Sequence, residues 1–130
     1  MNNIVLELKK VKTFYLATID NNSPRVRPFG SVMEYDGEIY LCTGNFKEVY
    51  KQIQNNNHVE LCGMYDEVSW LRVSGEVIED NRLEVQQAML EDETGPKGLY
   101  EAGDGKFATF KLVNAKATKY SFFSAPQEIK

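Results

Sequence analysis

The chain has 130 residues, of which 42% are hydrophobic and 26% are charged, and it carries a formal net charge of -4 at pH 7. A chain of this length is expected to fold as one domain, residues 1–130, around a single core. The acidic balance disfavours a nucleic-acid partner, which needs a basic face. Without a long apolar run or a basic leader, the sequence also predicts a cytoplasmic protein with no membrane partner.

Two periodicities divide the chain into helices and strands. Apolar residues at i, i+3 or i+4 and i+7 predict amphipathic helices, and β-branched or aromatic runs that end in turn formers predict strands. In chain order, the predicted elements are a helix over 2–12, strands over 13–19, 25–35 and 38–43, a helix over 45–55, strands over 58–64 and 69–79, a helix over 82–92, and strands over 107–113 and 116–123. Hairpin connections and helices at the margins favour an α+β protein, mainly antiparallel β, built as a barrel or a sandwich.

Local turn chemistry indicates how these elements connect. Asp36-Gly37 predicts a two-residue hairpin, and Asn114-Ala115 predicts a turn between the two closing strands. Pro28 cannot donate a ladder hydrogen bond, so its strand is expected at a sheet edge or to be locally irregular. Residues 97–105 are rich in glycine and predict a loop, which either covers a binding site or lies in solvent.

The cysteines and the histidine do not form a metal-binding pattern. Cys42 and Cys62 lie in apolar, strand-like runs without CxxC spacing, and His58 follows three asparagines. We therefore predict no metal site, two buried and reduced thiols, and a surface or cap position for His58. A disulfide between neighbouring strands stays open as an alternative.

Cationic residues and a helix start form a candidate anion site. Arg25 and Arg27 are two residues apart in a predicted strand, so they should share one face, where like charges repel unless an anion lies between them. Lys47 lies near the predicted start of a helix, whose free amides attract phosphate. Asn45 is expected to cap this helix, with Glu48 reaching back in a capping box. Ordinary solvated charges give the same pattern, so both interpretations stay open here.

Thr43 and Gly44 extend the candidate site, since a hydroxyl can bind a phosphate and a glycine lets the backbone approach it closely. The hairpin at Asp36-Gly37 is expected to pair the strand that holds Thr43 with the strand that holds Arg27. The two halves of the site should therefore be neighbours in space.

Four short segments resemble those of a known family. They are RVRPFG at 25–30, LCTGNFK at 41–47, QIQNN at 52–56 and SWLRVSGE at 69–76. In order and spacing they resemble the FMN-binding split-barrel family of pyridoxamine 5'-phosphate oxidase-like proteins, and within it the small nitroimidazole-resistance-type members. The resemblance implies a split β-barrel with peripheral helices, FMN as the cofactor, and a homodimer with FMN at its interface.

The resemblance also implies roles for particular residues. The strand from Arg27 to Gly30 would run along the isoalloxazine ring, while Thr43 and Lys47 would hold the phosphate end. Trp70 would pack against the flavin of the same or the opposite subunit, or would be a barrel-core aromatic. The implied cofactor-binding residues are Arg25, Arg27, Pro28, Phe29, Gly30, Thr43, Gly44, Lys47, Gln52 and Trp70.

Arg72 is left with three alternatives, which are solvent, an ion pair with Glu60, or the phosphate.

Two departures from the family pattern bear on the substrate. Pyridoxamine phosphate oxidases carry a Ser-Arg-Lys cluster at the helix start, where this chain has Lys47 and Lys51, and residues 121–126 lack their C-terminal Trp and Arg. Pyridoxamine phosphate is therefore not the expected substrate.

Three functions are compared. We expect an oxidoreductase that passes electrons from NAD(P)H through FMN to a small organic acceptor, with no catalytic residue assigned. The alternative is a non-catalytic FMN-binding or flavin-storage protein. The third is an oligonucleotide-binding barrel with Phe14, Tyr15, Tyr40 and the two arginines Arg25 and Arg27 as its stacking platform.

Overall fold

The computed structural model describes residues 2–130, which form three α-helices and eight β-strands. In chain order these are α1 (Asn3–Val11), β1 (Phe14–Asp20), β2 (Ser23–Phe29), β3 (Met33–Tyr35), β4 (Glu38–Gly44), α2 (Glu48–Asn55), β5 (His58–Met64), β6 (Ser69–Glu79), α3 (Leu83–Glu91), β7 (Phe107–Ser121) and β8 (Gln127–Ile129). No helix within these residues is long and apolar enough to cross a membrane.

The strands form one antiparallel sheet in the order β2-β1-β5-β6-β7-β4-β3, and β8 pairs with β7. This arrangement confirms the predicted α+β class with mainly antiparallel β structure. The bounds of β5 and β6 coincide with the predicted strands. Among residues 2–130, β1 is the single neighbour of β2, which confirms the edge position expected from Pro28.

Alternation along the strands and helical periodicity bring the apolar residues into one main core. β1 buries Phe14 and Leu16 and β6 buries Leu71 and Val73, since alternate residues of a strand face the same side. The two first helices cover this core. α1 contributes three residues of its apolar stripe and α2 contributes two, namely Val5, Leu8, Val11, Val49 and Ile53.

The prediction of one continuous strand over 25–35 is wrong, because the strand structure is interrupted between Phe29 and Met33. β2 pairs with β1, whereas β3 pairs with β4 through the Asp36-Gly37 turn, with Met33 opposite Tyr40. The sheet order places β2 and β3 at its two opposite edges. The hairpin therefore does not bring Arg27 beside Thr43, whose partner is Ala108 on β7.

The predicted turn at Asn114-Ala115 is also wrong, because β7 continues through it as one strand of 15 residues. Asn114 adopts a left-handed conformation with φ 54°, and the pairing with β6 shifts register between Ser74 and Glu76. The site is a β-bulge and not a hairpin. A Cβ on Gly75 would lie 2.8 Å from the carbonyl oxygen of Val113, so the bulge needs glycine there. β8 was not predicted.

The helix starts differ in their capping. The Asn2 side chain caps α1 by accepting from the amides of Ile4 and Val5 at 3.0 and 3.2 Å. α2 begins at Glu48 with Lys47 as its cap residue and has no side-chain cap, so the predicted Asn45 cap is wrong. The Asn45 amide group instead donates to the carbonyl oxygen of Gly105 at 2.8 Å.

Both thiols are free. Cys42 is buried as predicted, whereas Cys62 is half-buried, and the alternative of a disulfide is wrong. His58 is exposed, in agreement with its predicted surface position.

Candidate functional site

A small cavity lies where the end of β2, the end of β4 and the start of α2 meet the loop that follows α3. Its volume is about 150 Å³. Five residues predicted from the sequence line it, namely Pro28, Phe29, Gly30, Thr43 and Lys47. The other lining residues are Ser31, Cys42, Pro96, Leu99 and Tyr100. We call this cavity the inner pocket.

Sequence reasoning did not assign those other residues to a site. The glycine-rich composition of 97–105 was the one signal, since it predicted a loop that either covers a binding site or lies in solvent. Leu99 and Tyr100 are the two large apolar residues of this loop. The loop base is fixed to the pocket, because the Ser31 hydroxyl donates to the carbonyl oxygen of Thr94 at 2.6 Å. The amide of Val32 also donates to the Thr94 hydroxyl at 2.9 Å.

The two glycines predicted for the site have opposite surroundings. No heavy atom lies within 4 Å of the place where a Cβ on Gly30 would stand, so its backbone faces open space. A Cβ on Gly44 would lie 2.5 Å from the Tyr100 hydroxyl and 2.6 Å from a ring carbon of Phe46. Gly44 therefore gives room to two aromatic side chains of the protein itself.

Arg27 and Gln52 form a hydrogen-bonded cluster with Thr18, separate from the lining of the inner pocket. The Arg27 guanidinium donates to the Thr18 hydroxyl at 2.7 Å, to Gln52 Oε1 at 2.6 Å and to the carbonyl oxygen of Leu16 at 3.2 Å. The Thr18 hydroxyl also donates to Gln52 Oε1 at 2.6 Å. Thr18 and Gln52 are both buried.

All partners of Arg27 in this cluster are neutral. Within residues 2–130 no carboxylate lies within ion-pair distance of its guanidinium. Burial lowers the pKa of Arg27, yet a guanidinium keeps its proton under any ordinary condition. The cluster thus holds a half-buried positive charge that the described part of the chain does not neutralise.

Arg25 lies two residues away and has a different environment. Its Nε donates to Asp20 Oδ2 at 3.2 Å, and both side chains are largely exposed. The strand register places Arg25 and Arg27 opposite Thr18 and Leu16, on the same side of the sheet. Arg25 is thus a neutralised surface charge.

Trp70 lies outside the pocket and outside the barrel core. It is half-buried on the sheet surface, where its ring stacks on Tyr120 with centroids 5.6 Å apart. Phe122 packs on it with centroids 5.1 Å apart. Of the three alternatives for Arg72, the ion pair is observed, since its Nε lies 3.1 Å from Glu60 Oε2.

Burial keeps two ionisable groups of the inner pocket, Cys42 and Tyr100, in their protonated forms near neutrality. Burial raises the pKa of the Cys42 thiol to about 11, although Ser31 and Lys47 oppose this shift. Burial also raises the pKa of Tyr100. Both groups therefore stay protonated at pH 7. Within residues 2–130 there is no group of His, Cys, Asp and Glu side chains arranged to hold a metal ion.

Comparisons with known proteins agree with this architecture. The family model of pyridoxamine 5'-phosphate oxidase matches residues 2–118. The structure of a NimC/NimA family protein from Clostridium acetobutylicum superposes with a TM-score of 0.91, at 38% identity over 97% of this chain and 88% of that chain. A comparison with curated proteins gives no match.

Two more distant structures share the fold. General Stress Protein 26 from Bacillus anthracis has a TM-score of 0.69 at 16% identity, over 98% of this chain and 99% of that chain. A pyridoxamine 5'-phosphate oxidase-related, FMN-binding protein from Nostoc punctiforme has a TM-score of 0.62 at 14% identity, over 97% and 91% of the two chains. From the family match and the similarity to the NimC/NimA protein together, the chain belongs to the pyridoxamine 5'-phosphate oxidase-like split-barrel family.

Proposed function

We propose that the chain binds FMN at the inner pocket and acts as an oxidoreductase that passes electrons from NAD(P)H through FMN to a small organic acceptor. The observation that carries this proposal is the charge of Arg27, which is half-buried among neutral partners next to Pro28 of the pocket wall. A buried cation without a carboxylate favours an anionic ligand. The FMN-binding relative from Nostoc punctiforme supports the choice of ligand.

The residues of the pocket suit both ends of FMN. Thr43 offers a hydroxyl and Lys47 a positive charge to the phosphate, and Arg27 adds a second cation beyond the pocket wall. The open backbone at Gly30 suits the polar edge of a flat ring, which needs donors and acceptors close to it. These residues therefore fit the cofactor, although Arg25 is already paired with Asp20 and Trp70 lies elsewhere.

The size of the pocket requires a further element. A volume of about 150 Å³ is smaller than the several hundred Å³ typical of cofactor sites, so FMN must extend beyond it. We propose that a second copy of the chain completes the site. Tyr15, Val26 and Met64 are exposed apolar side chains on one side of neighbouring strands, and such a patch is typical of an interface.

The bound FMN would supply a carrier for two electrons between a nicotinamide and an acceptor. In the overall reaction, NAD(P)H and one proton reduce the acceptor, and NAD(P)+ is released. The chain's own residues bind and orient the reactants, and Arg27 and Lys47 stabilise negative charge. Because Cys42 is a protonated thiol, it is not a nucleophile in this reaction.

A flavin-storage protein is the second candidate, and one observation favours it. Cys42 and Tyr100 of the inner pocket both stay protonated near pH 7, so neither serves as a general base for a substrate. An FMN-binding protein without turnover needs no such group.

Absorbance of the purified protein tests the cofactor, and turnover separates the two candidates. We expect a yellow protein that releases FMN on heating, identified by chromatography. Bleaching of the flavin by NADH or NADPH without oxygen, followed by recovery with a quinone or nitroaromatic compound, supports the oxidoreductase. A flavin that stays oxidised with both nucleotides supports storage, and a colourless protein that takes up no added FMN contradicts both.

A further inference from the structure

Arg27 differs from the other arginines of the chain in its partners. The side chains of Arg25, Arg72 and Arg82 are 54%, 48% and 51% exposed, and each lies within 3.2 Å of a carboxylate oxygen. Arg27 is half-buried, and its partners among residues 2–130 are a hydroxyl, an amide oxygen and a carbonyl oxygen. A charge taken out of water needs a counterion more than an exposed one does. The neutral surroundings of the most buried arginine therefore need a reason.

The hydrogen bonds of Arg27 leave one edge of its guanidinium open. Nη1 donates to the Thr18 hydroxyl at 2.7 Å and to the carbonyl oxygen of Leu16 at 3.2 Å, and Nη2 donates to Gln52 Oε1 at 2.6 Å. These bonds use three of the five N–H groups of the planar guanidinium. The other two, on Nε and Nη2, share one edge and have no partner among residues 2–130. Such an edge is the fork that binds two oxygens of a phosphate or carboxylate.

Thr18 and Gln52 fix the orientation of this fork. The Thr18 hydroxyl donates to Gln52 Oε1 at 2.6 Å, so the hydroxyl, the amide oxygen and the two Nη atoms form a closed ring of hydrogen bonds. Thr18 is 2% exposed and Gln52 is 7% exposed. Rotation of the guanidinium would leave these buried polar groups without a partner, which is costly. The ring therefore holds Arg27 in one position.

The position of Gln52 on α2 would accept a carboxylate as readily as an amide. Gln52 lies one turn after Val49 on the core face of the helix, and its Nε2 has no hydrogen-bond partner among residues 2–130. Glutamate has the same length, so it would fit there and would form an ion pair with Arg27. The chain has the neutral residue instead, and the charge of Arg27 stays available.

We propose that Gln52 and Thr18 are positioning residues for the phosphate of FMN, an inference that rests on the proposed function. They hold one edge of the Arg27 guanidinium with neutral acceptors, and the other edge, formed by Nε and Nη2, receives two oxygens of a phosphate monoester. Both residues act through Arg27 and do not touch the cofactor. The role of Gln52 is thus indirect, in place of the direct contact that the family resemblance implies.

Affinities for FMN and riboflavin test this arrangement, because the two flavins differ only in the phosphate. Gln52→Glu keeps the length of the side chain and places a carboxylate where Arg27 donates at 2.6 Å. We expect it to weaken FMN binding by about 30-fold and riboflavin binding by less than about twofold, since the fork loses its net charge. Fluorescence titration of the flavin-free protein gives both dissociation constants. A loss of packing alone would weaken both flavins.

Two further variants keep the test decisive. Thr18→Val keeps the shape of the side chain and removes the hydroxyl that accepts from Arg27. It should weaken FMN binding alone, by about fivefold, and it decides the question if Gln52→Glu does not fold by circular dichroism. Asn55→Asp adds the same charge at an exposed position of α2 and should change either affinity by less than about twofold. Folded variants with an unchanged ratio of the two affinities overturn the positioning role.

Inorganic phosphate keeps this inference apart from the proposed function. The thermal midpoint of the flavin-free protein is compared in phosphate and in chloride at equal ionic strength, and we expect phosphate to raise it less in Gln52→Glu than in the wild type. Protein that binds FMN with the same affinity ratio in the variants overturns the positioning role alone. Protein that takes up no FMN but shows this phosphate effect overturns the proposed function and retains the fork at Arg27. Protein that responds to neither ligand overturns both.

Discussion

The two halves of β2 show how the same residue type takes different roles two positions apart. In the first half, Arg25 is exposed and its charge is neutralised by Asp20 at 3.2 Å. In the second half, Arg27 is half-buried and donates to Thr18, Gln52 and a carbonyl oxygen, all of which are neutral. A charge that already has its counterion contributes to the surface, whereas one without a counterion is available to an anionic ligand.

The largest expected effect follows from removing each arginine in turn. Arg27→Ala should weaken FMN binding by about 100-fold, since a partly desolvated charge opposite a phosphate is lost. Arg25→Ala should weaken it by less than about threefold, because an exposed ion pair contributes little. Fluorescence titration of FMN into the flavin-free variants measures both. If the two variants lose FMN affinity equally, Arg25 and Arg27 do not differ in their roles.

The neutral partners of Arg27 can be tested through stability. Gln52→Leu removes the oxygen that accepts from both Arg27 and Thr18 at 2.6 Å, and it should lower the free energy of unfolding by about 2 kcal/mol. Gln54→Leu on the exposed side of the same helix should cost less than about 0.5 kcal/mol. Urea denaturation followed by circular dichroism gives both values. If Gln54→Leu lowers the free energy of unfolding as much as Gln52→Leu does, the hydrogen-bonded cluster of Arg27, Thr18 and Gln52 adds no particular stability.

Lys47 and Lys51 extend the comparison to α2. Lys47 lines the inner pocket, whereas Lys51 lies 3.6 Å from the carboxylate of Glu48. Lys47→Ala should weaken FMN binding by about fivefold and reduce its dependence on salt. Lys51→Ala should change the affinity by less than about twofold. Titrations at low and high salt provide the measurement, and the same salt dependence in wild type and Lys47→Ala would contradict a phosphate contact.

The smallest expected effect is on the stability of the fold at low pH. Hydrogen bonds from Arg82 lower the pKa of Asp80 from its ordinary 3.8 to about 2, although burial opposes the shift. Because the folded pKa is the lower one, Asp80 stabilises the fold fully above its unfolded pKa, and this contribution is lost as the pH falls through about 2. The protein loses some free energy of unfolding as the pH falls, and Asp80→Asn should reduce this loss by about 1 kcal/mol, a value that allows for screening by solvent.

The hydrogen-bonded cluster of Arg27 serves as a control for the effect of pH at Asp80. Its partners do not titrate, so Arg27→Gln should lower the free energy of unfolding by the same amount at pH 6 and at pH 3. Urea midpoints at the two pH values check this expectation. A loss that shrinks in acid would indicate a carboxylate partner for Arg27.

Much of the fold could be predicted because local pattern and tertiary pairing agree. In β5, and in β6 as far as Val73, every second residue is buried, and the bounds of both strands were predicted correctly. The interruption of strand structure between Phe29 and Met33 could not be predicted, because Val32 and Met33 are buried and continue the apolar pattern of a strand. The continuation of β7 through Asn114 depends on β6, which supplies partners on both sides of the bulge.

The site was predictable in part, for the same reason. Pro28, Gly30, Thr43 and Lys47 line one pocket, and their role in binding a cofactor stays a prediction. The start of α2 was misplaced because Asn45 is bonded to Gly105 and Lys106, some sixty residues away in the chain. Tyr100 reaches the pocket on a loop without periodicity, so no local pattern indicates it.

The long strand β7 has a consequence for how the protein is made. It pairs with β4, β6 and β8, and its pairing with β4 joins Leu41 to Phe110 across much of the chain. During synthesis, β4 has no neighbour on that side until residues 107–121 have left the ribosome. Contacts between such distant segments slow folding and leave strand edges open in the meantime. The buried apolar residues of β4 therefore lack their partner strand until β7 has been made, and we expect this interval to be the one in which the chain is most prone to aggregate.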